Sequence, residues 1–221
     1  FSVWLLPLFT LVLLGLAVFS DTFQLQELQI YDVFMRARPQ PSAGREIVIV
    51  EIAEDTLQNL GRWPLPRSYH AFLVKALSES GAAAIAFDIL FSEPSVDDGA
   101  FANAIEESGR VFLPLAFHLG KENRLAGLAP VALDTLGGIT PVLKDKVSGV
   151  GHINIYVDID GKLRRLPLFV KSDDEIFPAL GLRVASRVLA TSWENLSVPV
   201  DRSGSLWVNY PGAWTKSFEH V

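Results

Sequence analysis

The stretch IVIVEIAEDTLQNLGRWPLPRSYHAFLVKALSESGAAAIAFDILFSEP, residues 47–94, decides the fold that this sequence predicts. It opens and closes on short apolar runs at residues 47–52 and 83–90, which we expect to be strands. An amphipathic helix is predicted between them over residues 67–80, and Gly81 follows it as a helix stop. Strand, crossover helix and strand make a βαβ unit, so the sequence predicts a right-handed connection between two parallel strands.

The connection that leads into this helix, residues 55–66, is rich in turn residues and runs into the unusual sequence GRWPLPR. Its two prolines fix the backbone and remove two hydrogen-bond donors. A stiff loop of this kind presents Trp63 and Arg67 beside the acidic strand ends. The loop predicts either one wall of a ligand site or a structural plug in which Arg67 pairs with Asp88 or Glu93.

Carboxylates gather where the two strands end. Glu51 and Asp88 interrupt the apolar runs near their C-terminal ends, where open α/β sheets bind ligands. A charge there needs a partner, water or a ligand. We therefore predict a candidate ligand-binding rim made of Glu51, Asp55, Trp63, Arg67, Asp88, Glu93 and Asp98.

The surplus of negative charge at this rim suggests which ligand it takes. Carboxylates crowded together repel one another unless a cation compensates them. The rim therefore predicts a small ligand or a cation: Ca²⁺ or Mg²⁺, which prefer oxygen ligands, or a cationic metabolite over Trp63. In the alternative, Asp98 only caps its helix and Glu93 faces water. Glu51 and Asp88 could serve acid–base chemistry, but a structural network explains them better, and we predict no catalytic residues.

The same residues resemble the signature of the CHASE type 2 domain, a bacterial extracytoplasmic sensor module. The family pattern is a strand with an acidic end, then Gly-x-Trp-Pro-x-Pro-Arg, then a helix and Phe-Asp-x-x-Phe-x-Glu-Pro. The matching positions are Gly61, Trp63, Pro64, Pro66, Arg67, Phe87, Asp88, Phe91, Glu93 and Pro94. Residues 151–170, GHINIYVDIDGKLRRLPLFV, resemble the later hairpin of the family, and the likeness runs from about residue 25 to the end.

The resemblance implies a function as well as a fold. It implies a sensory domain that regulates a cytoplasmic output, such as a histidine kinase, an adenylate cyclase or a diguanylate cyclase. Because the sequence starts at Phe1 and stops at Val221 in mid-pattern, we expect a fragment without the C-terminal membrane helices and output domain. The outputs of such proteins work as dimers, so a homodimer is expected.

Composition excludes several classes of protein. The 221 residues carry a net charge of −6 with no basic block, which argues against nucleic-acid binding. Hydrophobic residues make up 49%, enough for a sizeable core. There are no cysteines, so disulfides and cysteine-ligated zinc sites are excluded.

The N-terminal segment predicts a membrane attachment. Residues 3–19 carry no charge and are at the short end of the length that spans a bilayer. A cleaved signal peptide and a buried core helix are the alternatives. Residues 22–37 predict a stalk helix with a stripe formed by Phe23, Leu28, Tyr31, Phe34 and Met35, and residues 39–44 a short linker.

The rest of the chain predicts an α/β domain with a mixed, mostly parallel sheet and flanking helices. We expect a transmembrane helix over residues 1–20, the stalk over 21–38 and an incomplete periplasmic sensor domain over 45–221. The further helices and strands are predicted at residues 99–108, 111–117, 149–157, 162–170, 177–190 and 205–210, with a loop or lid at 119–136. Asp97 or Asp98 is expected to cap the helix at 99–108. The Asp-Ile-Asp-Gly sequence at 158–161 predicts a hairpin turn rather than a calcium loop.

Other functions leave weaker traces in the sequence. No nucleophile elbow, phosphate-binding glycine loop or dinucleotide fingerprint is present. The four histidines lack the spacing of a helical metal pair, although His118 and His152 could reach one rim. A membrane-anchored periplasmic hydrolase and a ligand-free dimerisation module remain the alternative functions.

Overall fold

The structure is a computed structural model that describes residues 7, 9–12, 15, 21–39, 44–120, 129–212 and 217–221. The chain divides into two compact units. The terminal unit comprises Phe1–Glu51, Val157–Leu163 and Asn209–Val221. The central unit comprises Ile52–Tyr156 and Arg164–Val208.

Six α-helices have bounds within the described residues. They are α1 (Asp21–Ala37), α2 (Glu54–Leu60), α3 (Arg67–Glu79), α4 (Asp98–Ser108), α5 (Pro141–Lys144) and α6 (Leu180–Val188), with a 3₁₀ turn at Trp193–Asn195.

The strands of the described part are short, apart from one. They are β1 (Val48–Ile49), β2 (Ile85–Ala86), β3 (Val111–Leu119), β4 (Ala132–Gly137), β5 (Gly149–His152), β6 (Tyr156–Val157), β7 (Leu163–Pro167), β8 (Phe169–Ser172), β9 (Glu175–Pro178), β10 (Ser205–Trp207) and β11 (Glu219–His220).

The main sheet of the central unit is built around the long strand β3. β2 pairs with the start of β3 in parallel, and β5 pairs with it in parallel over four residues. β4 pairs antiparallel with the second half of β3. The predicted α/β class with a mixed sheet is therefore confirmed, and two of the three strand pairings in this main sheet are parallel.

The hydrophobic core lies between this sheet and the two helices α3 and α4. Val111 and Leu113 are two residues apart and so point to the same face of β3. They belong to one buried cluster with Val74 of α3 and with Phe101 and Ile105 of α4. The burial of these side chains holds the helix pair against the sheet.

Helix α6 packs closely against the sheet, on β5. A Cβ atom added to Gly151 of β5 would lie 2.5 Å from the Cα of Leu180, which begins α6. Only glycine leaves room for the helix backbone at that distance. Two smaller pairings complete this unit: β8 with β9 and β10 with β7, both antiparallel.

The terminal unit brings early and late parts of the sequence together. β1 pairs in parallel with β11, with Val48 opposite Glu219 and Ile49 opposite His220. The turn predicted at residues 158–161 is confirmed: Gly161 donates its N–H to the Asp158 carbonyl at 2.9 Å and has φ +80°.

Several predicted elements need correction. The predicted βαβ pairing is wrong, since the strand partner of β1 is β11 and that of β2 is β3. Each of the two runs contributes only two residues to a strand, Val48–Ile49 and Ile85–Ala86. The connection at 55–66 is partly helical, because α2 occupies its first half.

Three further boundaries differ from the prediction. Pro178 ends β9 rather than opening a helix, because it extends a hairpin in which it pairs with Phe169. The loop predicted at 119–136 contains most of β4, while residues 121–128 lie outside the described part. The strand predicted at 205–210 ends at Trp207.

The predicted membrane helix lies mostly outside the described residues. Within the residues that the structure does describe, no helix has the length and apolar character needed to cross a membrane. The helix predicted at residues 22–37 is confirmed as α1, and its role as a stalk stays a prediction. Residues 40–43 of the predicted linker lie outside the described part.

Candidate functional site

The Arg67 cluster lies at the start of α3, where the proline-rich loop ends. Pro66 precedes the helix with φ −51°, and Arg67 is its first residue. The Arg67 side chain is buried, and its Nε donates to the Oδ1 of Asp98 at 3.2 Å. Its Nη2 donates to the backbone carbonyl of Glu93 at 3.1 Å, and its guanidinium carbon lies 4.5 Å from the ring centroid of Phe91. One arginine therefore connects α3, α4 and the loop between β2 and α4.

Asp98 completes the cluster from the first turn of α4. Its side chain is buried, and its Oδ2 accepts the backbone N–H of Ser95 at 2.9 Å. Both oxygens are thus engaged, one by Arg67 and one by the loop. A neighbouring contact, from the Ser68 hydroxyl to the Asp97 carboxylate at 3.2 Å, ties the same two helices at the surface. Asp97 occupies the N-cap position of α4, one of the two positions predicted for the cap, but its side chain makes no capping hydrogen bond.

An aromatic cage surrounds His70 one helical turn beyond Arg67. The ring of His70 lies 5.2 Å from Phe91 and 5.9 Å from both Phe87 and Phe101, measured between centroids. Burial, and secondarily the charge of Arg67, lowers the pKa of His70 below its usual value. The histidine is therefore a neutral packing residue. The buried face of α3 follows Arg67, His70 and Val74, whereas Phe72 is 73% exposed.

The structure brings some of the predicted rim residues together and leaves others apart. Arg67 and Asp98 meet, and Glu93 joins them through its carbonyl oxygen rather than its carboxylate. The predicted alternatives for the partner of Arg67, the carboxylates of Asp88 and Glu93, are corrected to Asp98. Asp88 is exposed on the loop that follows β2.

The remaining rim residues engage other parts of the chain. Asp55 accepts the N–H of Thr56 at 2.7 Å within its own helix, and Trp63 is 49% exposed. Glu51 belongs to the terminal unit, where its carboxylate hydrogen-bonds the imidazole of His220. No group of three or more metal-ligating side chains forms among the described residues. A ligand or cation at these carboxylates stays a prediction.

A second histidine, His152, lies buried at the end of β5. Its Nδ1 accepts the N–H of Asn154 at 3.2 Å, and burial lowers its pKa to about 4. The Asn154 side chain extends the sheet, since it bonds both the N–H and the carbonyl of Phe117. His118 is exposed instead and lies 3.6 Å from Asp134, so the two histidines do not share one environment.

A cavity that the sequence did not predict opens beside the C-terminal half of β3. Its volume is about 640 Å³. Its floor is apolar, formed by Leu115, Phe117, Val150 and Phe177 among others. Its rim is charged, formed by Lys144, Asp173, Asp174 and Glu175. No local sequence signal marks it, because its walls come from five separate strands, the turn between β8 and β9, and α5.

These observations define an α/β domain with a closed structural ion pair at one place and an open cavity at another. Two histidines, His70 and His152, are buried and neutral. The chain belongs to the CHASE2 domain family, whose model matches residues 8–221. CHASE2 domains are extracellular sensory domains of signalling proteins. No curated protein and no solved structure matches the chain.

Proposed function

We propose that this chain is the extracytoplasmic input domain of a membrane-bound bacterial signal-transduction protein and regulates a cytoplasmic kinase or nucleotide cyclase. The observation that carries the proposal is the family match over residues 8–221, nearly the whole chain. On this proposal residues 3–19 attach the protein to the inner membrane, and the residues after about 21 lie outside it.

The terminal unit offers a physical route for the signal. Asp32 of α1 accepts a hydrogen bond from Lys162 at 2.5 Å, and Arg38 donates to the Asn209 side chain and, at 2.9 Å, to the Tyr210 carbonyl. Both contacted segments continue along the chain into residues of the central unit. A shift of α1 would therefore pull on these two segments through charged contacts.

The exposed face of α1 supports a homodimer. Ile30 and Phe34 are 57% and 69% exposed, and Phe23 shares their face because separations of seven and four residues recur on one side of a helix. Leu28, predicted to be in the same stripe, is buried on the opposite side. We propose that a second copy covers the face of Phe23, Ile30 and Phe34, since a symmetric contact next to the membrane would couple two outputs.

Cysteine crosslinking in the full-length protein tests this function. The chain has no cysteine of its own, so Phe34→Cys introduces a single thiol into it. We expect oxidation to join two copies and to change the kinase or cyclase activity of membrane vesicles several-fold, reversibly on reduction. The control is Gln29→Cys, exposed on another face of α1, which should leave both dimer and activity unchanged.

Other outcomes would point to the alternative functions. A crosslink that forms without any change in output would favour a dimerisation module. A full-length coding sequence that carries no signalling domain would favour the membrane-anchored hydrolase and would end the sensor proposal.

A further inference from the structure

The cavity beside β3 has the size of a small-molecule site. Pockets that bind small ligands typically have volumes of about 300–1,000 Å³, and this one has about 640 Å³. Leu115 and Phe117 of β3 both line the cavity, and Val150 of β5 joins them. Phe177 of β9 closes the floor against Phe117, at 5.1 Å between ring centroids. The floor can therefore take an apolar or aromatic body.

The rim of the cavity gives it a negative character. Asp173, Asp174 and Glu175 lie in and beside the turn that joins β8 to β9, and all three line the cavity. Lys144 at the end of α5 is the positive side chain among the lining residues, so the rim has two more negative than positive charges. The rim side chains are exposed, which leaves the mouth of the cavity accessible from water.

An apolar floor beneath a negative rim is complementary to an amphipathic cation. The apolar part would bury itself on the floor, and the positive group would stay at the mouth near the carboxylates. The aromatic pair on the floor, Phe117 and Phe177, can pack against an aromatic body of the ligand. A bare metal ion fits less well, because it needs oxygen ligands from several sides, whereas these carboxylates come from one hairpin.

We propose that this cavity binds a small organic cation with an apolar body, and that this cation is the ligand sensed by the domain. The sensing step rests on the function proposed above, whereas the binding step does not. The cavity is also separate from the Arg67 cluster, whose charged groups are already paired with one another.

Three matched probes test the binding directly: 2-phenylethylammonium, the neutral 2-phenylethanol and the anionic phenylacetate. They share one aromatic ring and differ in charge. Titration of the purified chain by calorimetry, with saturation-transfer NMR for weak binding, should show the cation binding most tightly and phenylacetate least. Added salt should weaken the binding of 2-phenylethylammonium and leave the binding of 2-phenylethanol unchanged.

Variants connect the binding to the rim. The triple change Asp173→Asn, Asp174→Asn and Glu175→Gln should lower the affinity for the cation about tenfold. The affinity for the alcohol should stay unchanged. Lys144→Gln should raise the affinity for the cation, because it removes the positive side chain from the rim. The matched control removes three exposed carboxylates elsewhere in the same unit, by Glu79→Gln, Glu107→Gln and Glu194→Gln, and should leave the cation affinity near that of the wild type.

The results separate the two proposals. Equal binding of all three probes, no binding of the cation at millimolar concentration, or an equal loss in the rim and control variants would overturn the ligand site. Cation binding that follows the rim charges, but leaves the output of the full-length protein unchanged, would keep the site and reject its role in sensing.

Discussion

Arg67 connects three segments of the central unit through one side chain. It donates to the Asp98 carboxylate and to the Glu93 carbonyl, and it lies over the ring of Phe91. Because these groups are buried, loss of the guanidinium would leave a carboxylate and a carbonyl without their partner. The ion pair therefore fixes the geometry of the loop before α4 more than it adds net stability.

Removal of Arg67 should strongly destabilise the fold. We expect Arg67→Ala to lower the free energy of unfolding by about 3–5 kcal/mol, because Asp98 then stays buried without its partner. Chemical denaturation followed by circular dichroism measures the change. Arg62→Ala, at an exposed position of the same loop, should change it by less than about 0.5 kcal/mol. A loss below about 1 kcal/mol for Arg67→Ala would contradict the structural role.

His152 should make stability depend on pH. Its pKa is about 4 in the folded chain and 6.5 when unperturbed, so the unfolded chain binds this proton first as the pH falls. Its contribution is therefore complete above about pH 6.5 and is lost between pH 6.5 and 4, by about 3 kcal/mol in total. Urea denaturation across this range gives the free energy of unfolding at each pH. This free energy should rise less steeply with pH for His152→Asn than for wild type. His118→Asn, at an exposed histidine, should keep the wild-type slope, and equal slopes for all three proteins would refute the assignment.

Among the elements, β3 organises the central unit. It pairs with β2 and β5 in parallel and with β4 in antiparallel fashion. One face packs on α3 and α4, and α6 approaches β5 closely at Gly151. The cavity opens beside the C-terminal half of the same strand.

The approach of α6 to β5 should depend on the absence of a side chain at Gly151. The Cβ of Gly151→Ala would lie 2.5 Å from the Cα of Leu180 and 2.7 Å from its nitrogen, so the helix has to shift. We expect a loss of about 1–3 kcal/mol in the free energy of unfolding, as for other overpacked sites. Thermal and urea denaturation measure it. Gly99→Ala in α4 is the matched control, since a Cβ there meets nothing within 4 Å and should not destabilise. Equal stability of both variants would show that α6 is not so close.

At the scale of the whole molecule, the division into two units fits a sensory role. The terminal unit contains α1, the β1–β11 pair and the turn at residues 158–161. The central unit contains the Arg67 cluster and the cavity. On the proposed function, the unit with the stalk helix transmits what the unit with the cavity detects.

Protease accessibility should reveal the topology of the whole protein. We expect protease added to spheroplasts to digest the region after residue 21, because the proposed function places it outside the inner membrane. Cleavage is followed by immunoblotting of an epitope in this region, and a cytoplasmic protein serves as the control for intact membranes. Protection of residues 21–221 until the membrane is dissolved would contradict the proposed orientation.

The sequence by itself determined the local elements of this protein. Helical spacing of apolar residues located α1, α3 and α4, the apolar run after Gly109 located β3, and an Asp-Gly pair located the turn at 158–161. These signals are reliable because each depends on residues within a turn or two of one another. The resemblance carried by the loop and strand motifs gave the family, which the match over residues 8–221 confirms.

Only the tertiary structure decided which distant groups meet. Arg67 pairs with Asp98, 31 positions away, rather than with the nearer Asp88 or Glu93 carboxylates. β1 pairs with β11 near the other end of the sequence, and the cavity draws its walls from β3, β4, β5, β8 and β9. Such contacts depend on how the whole chain closes on itself. Many carboxylates and short apolar runs are equivalent by local pattern, and packing of the complete core selects among them.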